Sequence, residues 1–470
     1  MTGIQWLKRF ILPALVVVVL VAGCSKTPSQ TTTSAVTTTA TTTSAPARTT
    51  TTTSAPATTV KPTTAPATTA AGPYGDLRVG LATFGSEQMN PVYADGGTVT
   101  TMLAPIYDIL VDWGAKGLQP GLAEKWVMSS DAKSWTFTIR KGVKFHTGDD
   151  LTAEDVKFSL DAYGAKDAYA SDFQRSFERS EIIDNYTVKI HTVAPQLDLP
   201  AFLTLVGTTG RGLILPKKYF EQKGKAAFND QPVGTGAFQF VRRIPGDEIS
   251  LEANTKYWGQ VASFKKLTLL QMPEETTRVA ALKTRGLDEI EISPDSAPEL
   301  RAGGFKTIIL GTPSSMVLLN GAYQPEGAKL PIANIKVRQA LSLAINRDEI
   351  MKNFFHGDAL PPGPPQLSDQ VIGIDTTKWM NYAATKLNRY DPAEATRLIK
   401  EAGYPQGFDI TLWTYTQAGA AYSPAMAQVI QGYWNKVGVN ARVQPVDWGT
   451  FQRTRNTLRT PTPGLIGQAH

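Results

Sequence analysis

A single cysteine, Cys24, in a chain of 470 residues leaves no intramolecular disulfide and no cysteine-rich metal site to be made. Histidine is almost as scarce. His146, His191, His356 and His470 are the four present, and none stands at metal-ligand spacing from another. His-Glu-x-x-His and Gly-x-Ser-x-Gly are absent, which removes the common metalloprotease and serine-hydrolase signatures. Gly234-Thr235-Gly236 lacks the Lys-Ser/Thr of a phosphate loop and the third glycine of a dinucleotide fold, so it reads as a turn. Asp149, Asp150, Glu154 and Asp155 crowd a predicted helix start, where negative charge complements the helix end, and they suggest no acid-base pair. No catalytic residue, resident metal or cofactor is therefore expected. Acidic residues are missing altogether from residues 1–75, where five basic ones occur. The rest of the chain carries 42 basic against 41 acidic residues, so the net charge of +6 belongs to the N-terminal stretch and gives no support for nucleic-acid binding by the body.

A membrane-spanning length of apolar sequence is missing as well. The run Phe10 to Ala22 has 13 residues and includes Pro13, whereas a helix across a bilayer core needs about 20. Preceded by Lys8 and Arg9 and followed by small residues, it has the layout of a secretory signal over residues 1–24. Leu20-Val21-Ala22-Gly23-Cys24 resembles the bacterial lipobox, whose cysteine is lipidated and becomes the first residue after cleavage. Cys24 is expected to carry that anchor, each buried methylene contributing about 0.8 kcal/mol; the alternative is an incidental buried thiol. Residues 25–72 hold 21 threonines among 48 residues and no aromatic side chain, so no core can offset the entropy of ordering them. Residues 25–75 thus read as a disordered Thr/Ser/Ala/Pro-rich tether, either a stalk across a cell-wall zone or a plain spacer.

From Asp76 onward the composition turns aromatic-rich and mixed in charge, placing the boundary of the folded body near Pro73 to Gly75. Asp76 to Ala82 reads as a strand, and Thr98 to Leu110 as a helix. Trp135-Thr136-Phe137-Thr138-Ile139 alternates at period two, which turns Trp135, Phe137 and Ile139 to one side of a strand. Lys141-Gly142 predicts a turn, Val143 to Phe145 a short strand, and His146 to Asp149 another turn. Thr152 and Asp155 form a capping pattern ahead of a helix whose Val156, Leu160 and Tyr163 share a face.

Further along, Asp391 caps and Pro392 starts a helix with the apolar stripe Ala395, Leu398, Ile399 and Ala402, ended at Gly403. A strand (Asp409 to Trp413), a helix opened by Ser423-Pro424 and closed at Gly438, and a second strand (Val439 to Val446) make a βαβ unit, so the two strands should be parallel. Open α/β sheets bind ligands at the carboxyl ends of their strands. Here that means the loop after Trp413 with Tyr415 and Tyr422, and the turn at Asp447-Trp448.

At larger scale the residues resemble a known family. Leu122-Ala123-Glu124-Lys125-Trp126, Ser130-Asp131, Trp135-Thr136-Phe137, the run Ile139 to His146, Gly148 and Leu151 to Val156 together resemble the signature of family 5 extracellular solute-binding proteins, the peptide/nickel group of ABC importers. Pro232-Val233-Gly234-Thr235-Gly236-Ala237-Phe238, Asn254 with Tyr257-Trp258, Val337 to Arg347 and Ala402-Gly403-Tyr404-Pro405 continue it, over essentially all of residues 76–448. The resemblance implies an α/β, two-lobed periplasmic-binding-protein-like fold of type II, cluster C-like. Residues 76–112 and 236–315 would form lobe I, 113–235 an inserted small domain and 316–470 lobe II. It also implies that His146 belongs to a structural turn. Family members usually run on through an aromatic-acidic segment that this sequence lacks before His470, so the chain reads as truncated at the C-terminus, with lobe II incomplete.

The resulting expectation is a lipid-anchored, extracytoplasmic receptor on the cell membrane. It would capture a small solute, oligopeptide-like, and deliver it to ABC permease subunits without catalysis. A surface enzyme or adhesin on the same scaffold, without a transporter, is the alternative. Ligand contacts are expected from Trp413, Tyr415 and Trp448, with Asn320 near the hinge and Asn90 from lobe I, aromatics supplying stacking area and asparagines fixing orientation. Trp413 and Trp448 read equally well as core residues closing strand ends.

Overall fold

The computed structural model describes residues 72–94, 96–114, 117–205, 211–308, 314–319, 327–359, 363, 375–416, 421–447, 450–451 and 464–468. The leader, Cys24 and the tether as far as residue 71 lie outside the described residues.

The predicted first strand forms at Asp76–Leu81 and runs parallel to Lys266–Gln271 on one side and Glu289–Ile290 on the other. Glu248–Ala253 and Phe238–Ile244 extend this first sheet antiparallel, to five strands. A four-stranded antiparallel middle sheet orders Ala123–Met128, Ser134–Ile139, Thr187–Thr192 and Phe177–Asp184. The period-two reading holds there: Trp135, Phe137 and Ile139 are buried while Thr136 and Thr138 are partly exposed. The Ala153–Gly164 helix lies against this sheet and buries Val156, Leu160 and Tyr163. Its start is closed as predicted, Asp155 Oδ2 accepting the Thr152 N–H at 3.0 Å and the Thr152 hydroxyl at 3.0 Å. First and middle sheets share one continuous apolar core, from Phe84 to Leu269.

A third sheet orders Ser314–Leu318, Gly464–Gln468, Phe408–Thr414 and Val439–Pro445. The last two are parallel, in register from Phe408 opposite Val439 to Thr414 opposite Pro445. They flank the Ser423–Lys436 helix, which gives the predicted βαβ unit. The Pro392–Glu401 helix forms with Asp391 Oδ1 accepting the Glu394 N–H at 2.9 Å, and Gly403 follows it with φ 95°, where a side chain would be strained. This part has a second apolar core, from Ile332 to Ala441, which shares no residue with the first.

Two expectations fail. The helix predicted over Thr98 to Leu110 is only a short turn, Gly96–Thr98, continued by a wider turn over Val99–Leu103. Pro105 blocks its extension, and the carbonyls beyond are used elsewhere: Ile106 O accepts the Gly236 N–H at 2.9 Å and Pro105 O accepts the Phe238 N–H at 3.0 Å. Glycine is needed at Gly234 and Gly236 because a Cβ there would overlap the Ile106 backbone. Val143 to Phe145 is not a strand either. It makes one isolated bridge, Lys144 to Asp150, through Phe145 N–H to Asp149 O and Leu151 N–H to Val143 O, both at 2.9 Å, around a tight turn in which Gly148 N–H donates to Phe145 O at 2.8 Å.

Candidate functional site

The carboxyl ends of the parallel strands Phe408–Thr414 and Val439–Pro445 gather aromatic side chains. Trp413, half-buried, stands opposite Gln444 on one neighbour and Gly464 on the other. Tyr415 follows and is only 2% exposed, its ring 4.5 Å from that of Phe451 at 32°. Leu318, Trp413 and Val446 pack around this pair. Val446 N–H donates to Thr414 O at 2.9 Å, and Asp447 accepts the Thr450 N–H at 2.8 Å, so the second strand end is held by its own turn.

A second aromatic group sits where the Ser423–Lys436 helix begins. Tyr422 meets Phe355 edge to face at 5.4 Å and Phe354 at 6.2 Å, and the two phenylalanines are 5.0 Å apart. The helix begins here because Pro424, which needs no donor, occupies its first turn. Its start carries partial positive charge at the same edge as the strand ends. Phe355 leads directly into His356 and Gly357, consecutive left-handed residues with φ 52° and 85°. That sharp turn brings His356 Nε2 to 3.2 Å from Asp295 Oδ1, and Asp358 into an ion pair with Arg301. Asp295 and Arg301 belong to the helical turns Pro294–Ser296 and Ala297–Ala302, which follow the first sheet. One short segment therefore carries both the aromatic group and the polar bonds to the other half of the molecule.

The structure brings Trp413 and Tyr415 together. Asn90 is placed in the first region and is 1% exposed: its Oδ1 accepts the Val92 N–H at 3.1 Å, and its backbone N–H reaches Asn229 Oδ1 at 3.3 Å. Asn320, Trp448 and Cys24 lie outside the described residues. Sequence reading did not single out Phe354, Phe355 or Phe451. The doublet Phe354-Phe355 before His356-Gly357 was the available signal, an aromatic pair held at a turn. Among the described residues no group of three or more metal-ligating side chains could hold a metal ion, and no helix is long and apolar enough to cross a membrane. Such an edge can stack a planar or apolar group and offers polar atoms around it.

The motif-rich half holds a different arrangement. Asp108 accepts from the Thr235 hydroxyl at 2.8 Å, the Tyr257 hydroxyl at 2.6 Å and the Trp258 indole N–H at 2.7 Å. Burial, with the Asp108 charge beside it, pushes the Tyr257 hydroxyl well above its ordinary pKa, so it stays a donor. His146 stands between Gly234, whose N–H reaches its Nδ1 at 3.3 Å, and Gly236, whose carbonyl lies 3.0 Å from its Nε2. The expected structural role of His146 follows from these bonds.

The sequence profile of the bacterial extracellular solute-binding proteins, family 5 (middle portion), matches residues 117–460. The chain belongs to this family. It is 32% identical over 395 residues to the dipeptide-binding protein of Escherichia coli K12, an alignment that spans 78% of this chain and 71% of that protein. Its fold matches that of the binding protein MoaA of A. tumefaciens R10, solved in complex with mannopinic acid, with a TM-score of 0.69 and 27% identity, over 84% of this chain and 78% of the other. The binding protein DppA of Helicobacter pylori, solved with the peptide STSA, matches with a TM-score of 0.65 and 26% identity, again over 84% and 78%. The α/β architecture is thus that of periplasmic binding proteins. Members of the family are extracytoplasmic, solute-binding components of ABC transporters and not enzymes.

Proposed function

We propose that this family 5 protein is a lipid-anchored receptor, held at the membrane through Cys24. It captures a small, oligopeptide-like solute between two lobes and hands it to the permease of an ABC importer. The family match over residues 117–460 carries the reading. A peptide-like solute is supported by the dipeptide-binding relative and by the structural neighbour solved with a peptide. The separation of the two apolar cores supports lobes drawn at 76–112 with 236–315 and from 316 onward. The 113–235 segment is then an insertion that shares the first core.

The mechanism is a population shift. A solute touching both lobes favours the closed form by its differential affinity for that form, and the permease reads the closed shape. Trp413 offers its ring to the solute, with Tyr415 and Phe451 packed behind it. Asn320, Trp448 and Asn90 remain proposed contacts, Asn90 with its Oδ1 on the Val92 N–H and its buried Nδ2 without a partner among the described residues. Mass spectrometry of small molecules that co-purify with the full chain identifies the solute class. Titration with that solute, followed by tryptophan fluorescence, should then show an affinity loss of about tenfold or more in Trp413→Ala. Unchanged affinity removes Trp413 from the site, and the absence of any bound or binding small solute removes the receptor reading.

A further inference from the structure

The Thr376–Tyr382 helix and the wider turn that continues it, Ala383–Leu387, lie on the surface of the second region. Ala383 is the buried residue of the pair, and the first helix buries none. Trp379, Met380, Tyr382, Leu387 and Tyr390 remain between 36% and 46% exposed. Single exposed apolar residues are ordinary on soluble proteins, but five large ones fall within residues 376–390, and two of them, Trp379 and Tyr382, are in ring contact. The same residues contain Lys378, Lys386 and Arg389 and no carboxylate. Arg389 pairs with Asp391 at 3.3 Å. Lys378 and Lys386 have no ion pair among the described residues, and Asp375 at the helix start spends one oxygen on the Lys378 backbone N–H at 2.9 Å.

We propose that residues 376–390 are a docking face for an anionic lipid surface. Indole and phenol groups with apolar bodies and polar tips suit the headgroup boundary, and Trp379 and Tyr382 stand edge to face, 5.8 Å apart, with both rings accessible. Lys378 and Lys386 beside them, without an ion pair among the described residues, have long apolar stems and find their counter-charge in lipid phosphate. An acidic protein partner would suit the lysines, but it would not require this concentration of half-exposed aromatic surface. The patch is read from its own chemistry and does not depend on Cys24. A lipidated tether would only raise its concentration at the membrane.

The test uses the full chain with vesicles of phosphatidylcholine, with and without phosphatidylglycerol, whose brominated acyl chains quench tryptophan. Quenching should be stronger with phosphatidylglycerol, and Trp379→Phe should lose most of that extra quenching. Lys378→Glu combined with Lys386→Glu should bring the signal down to the neutral-vesicle level. Both variants change exposed side chains, and their melting curves should match the parent. Quenching that is indifferent to phosphatidylglycerol, or unchanged in Trp379→Phe, overturns the proposal and leaves the patch to a protein partner. Flotation with pure phosphatidylcholine reports the leader and Cys24 separately, so a failed anchor and a failed docking face are told apart.

Discussion

The two cores are built from similar helices and strands, yet they are fastened differently. The first is tied by polar side chains that reach far along the chain: Asp108 to Thr235, Tyr257 and Trp258, His146 to Gly234 and Gly236, and Asn254 Nδ2 to Gly236 O at 3.1 Å. The second is tied mainly by apolar packing around Trp434, whose indole N–H donates to Leu341 O at 3.0 Å, and by local caps at Asn334, Asn346 and Asp391. A hydrogen-bonded frame tolerates few residue types at each point, because an unmatched donor is costly. A packed core with aromatic strand ends tolerates many. Most of the recognisable motifs accordingly fall in the frame, from Leu122 to Trp258, while Val337 to Arg347 and Ala402 to Pro405 belong to the second core.

The largest test of this contrast compares two aspartates. Asp108→Ala leaves three side-chain donors without their shared acceptor and should cost about 3 kcal/mol or more in denaturant unfolding, since a bond to a charged group contributes ~1.5–3 kcal/mol. Asp409 also accepts a side-chain bond, from Asn440 at 2.6 Å, but on the open surface of the second region. Asp409→Ala should stay within about 0.5 kcal/mol of the parent. Equal losses would show that both regions rest on the same kind of bond.

That contrast also explains what could be read from the chain in advance. Periodicity and caps located Ser134–Ile139, Ala153–Gly164, Pro392–Glu401 and the βαβ unit, because those signals are local and agree with the final packing. The helix expected through Leu110 was lost to a demand made 130 residues away, where Gly236 and Phe238 claim the carbonyls of Ile106 and Pro105. No local pattern encodes such a demand. Trp413 at the end of a strand and Tyr415 just after it were proposed from the sequence as solute contacts, whereas the packing of Tyr415 on Phe451 carries no local signal, because it joins residues 36 positions apart. Asn90 was expected as a ligand contact by residue type; its Oδ1 is used by the Val92 N–H in a turn hidden from solvent, and its Nδ2 is buried with no hydrogen-bond partner among the described residues.

A smaller effect in the same frame comes from pH. Burial holds the His146 imidazole below its ordinary pKa, with Gly236 and Asp108 partly opposing. Its Nδ1 accepts the Gly234 N–H, a role open only to the neutral ring. As pH falls through about 6.5 the unfolded chain takes up a proton first, so the stabilisation is full above that value and is lost as pH drops toward the lower folded value. Thermal melting at about pH 7 and about pH 5 should show a steeper acid loss in the parent than in His146→Gln. The second region, with no histidine in its core, contributes none of this difference. An identical acid slope in both proteins would mean that His146 carries no share of the frame.

The smallest expected effect lies where the two regions meet. Arg301 with Asp358, and His356 with Asp295, join them through side chains that are substantially exposed. Exposed pairs contribute about 0–1 kcal/mol, so Asp358→Ala should leave the melting temperature nearly unchanged. Whatever the Arg301 pair contributes, it contributes only to arrangements in which the regions touch. It should therefore surface in solute affinity, as a weakening of no more than about fivefold, and should fade as ionic strength rises past roughly 0.15 M. The charge swap Arg301→Asp with Asp358→Arg should restore the parent affinity at low salt, because attraction without a fixed geometry needs only opposite signs. A melting shift without an affinity change would place the pair inside a rigid body and not across a moving boundary. The two cores would then be parts of one unit, and the contrast between them a matter of composition alone.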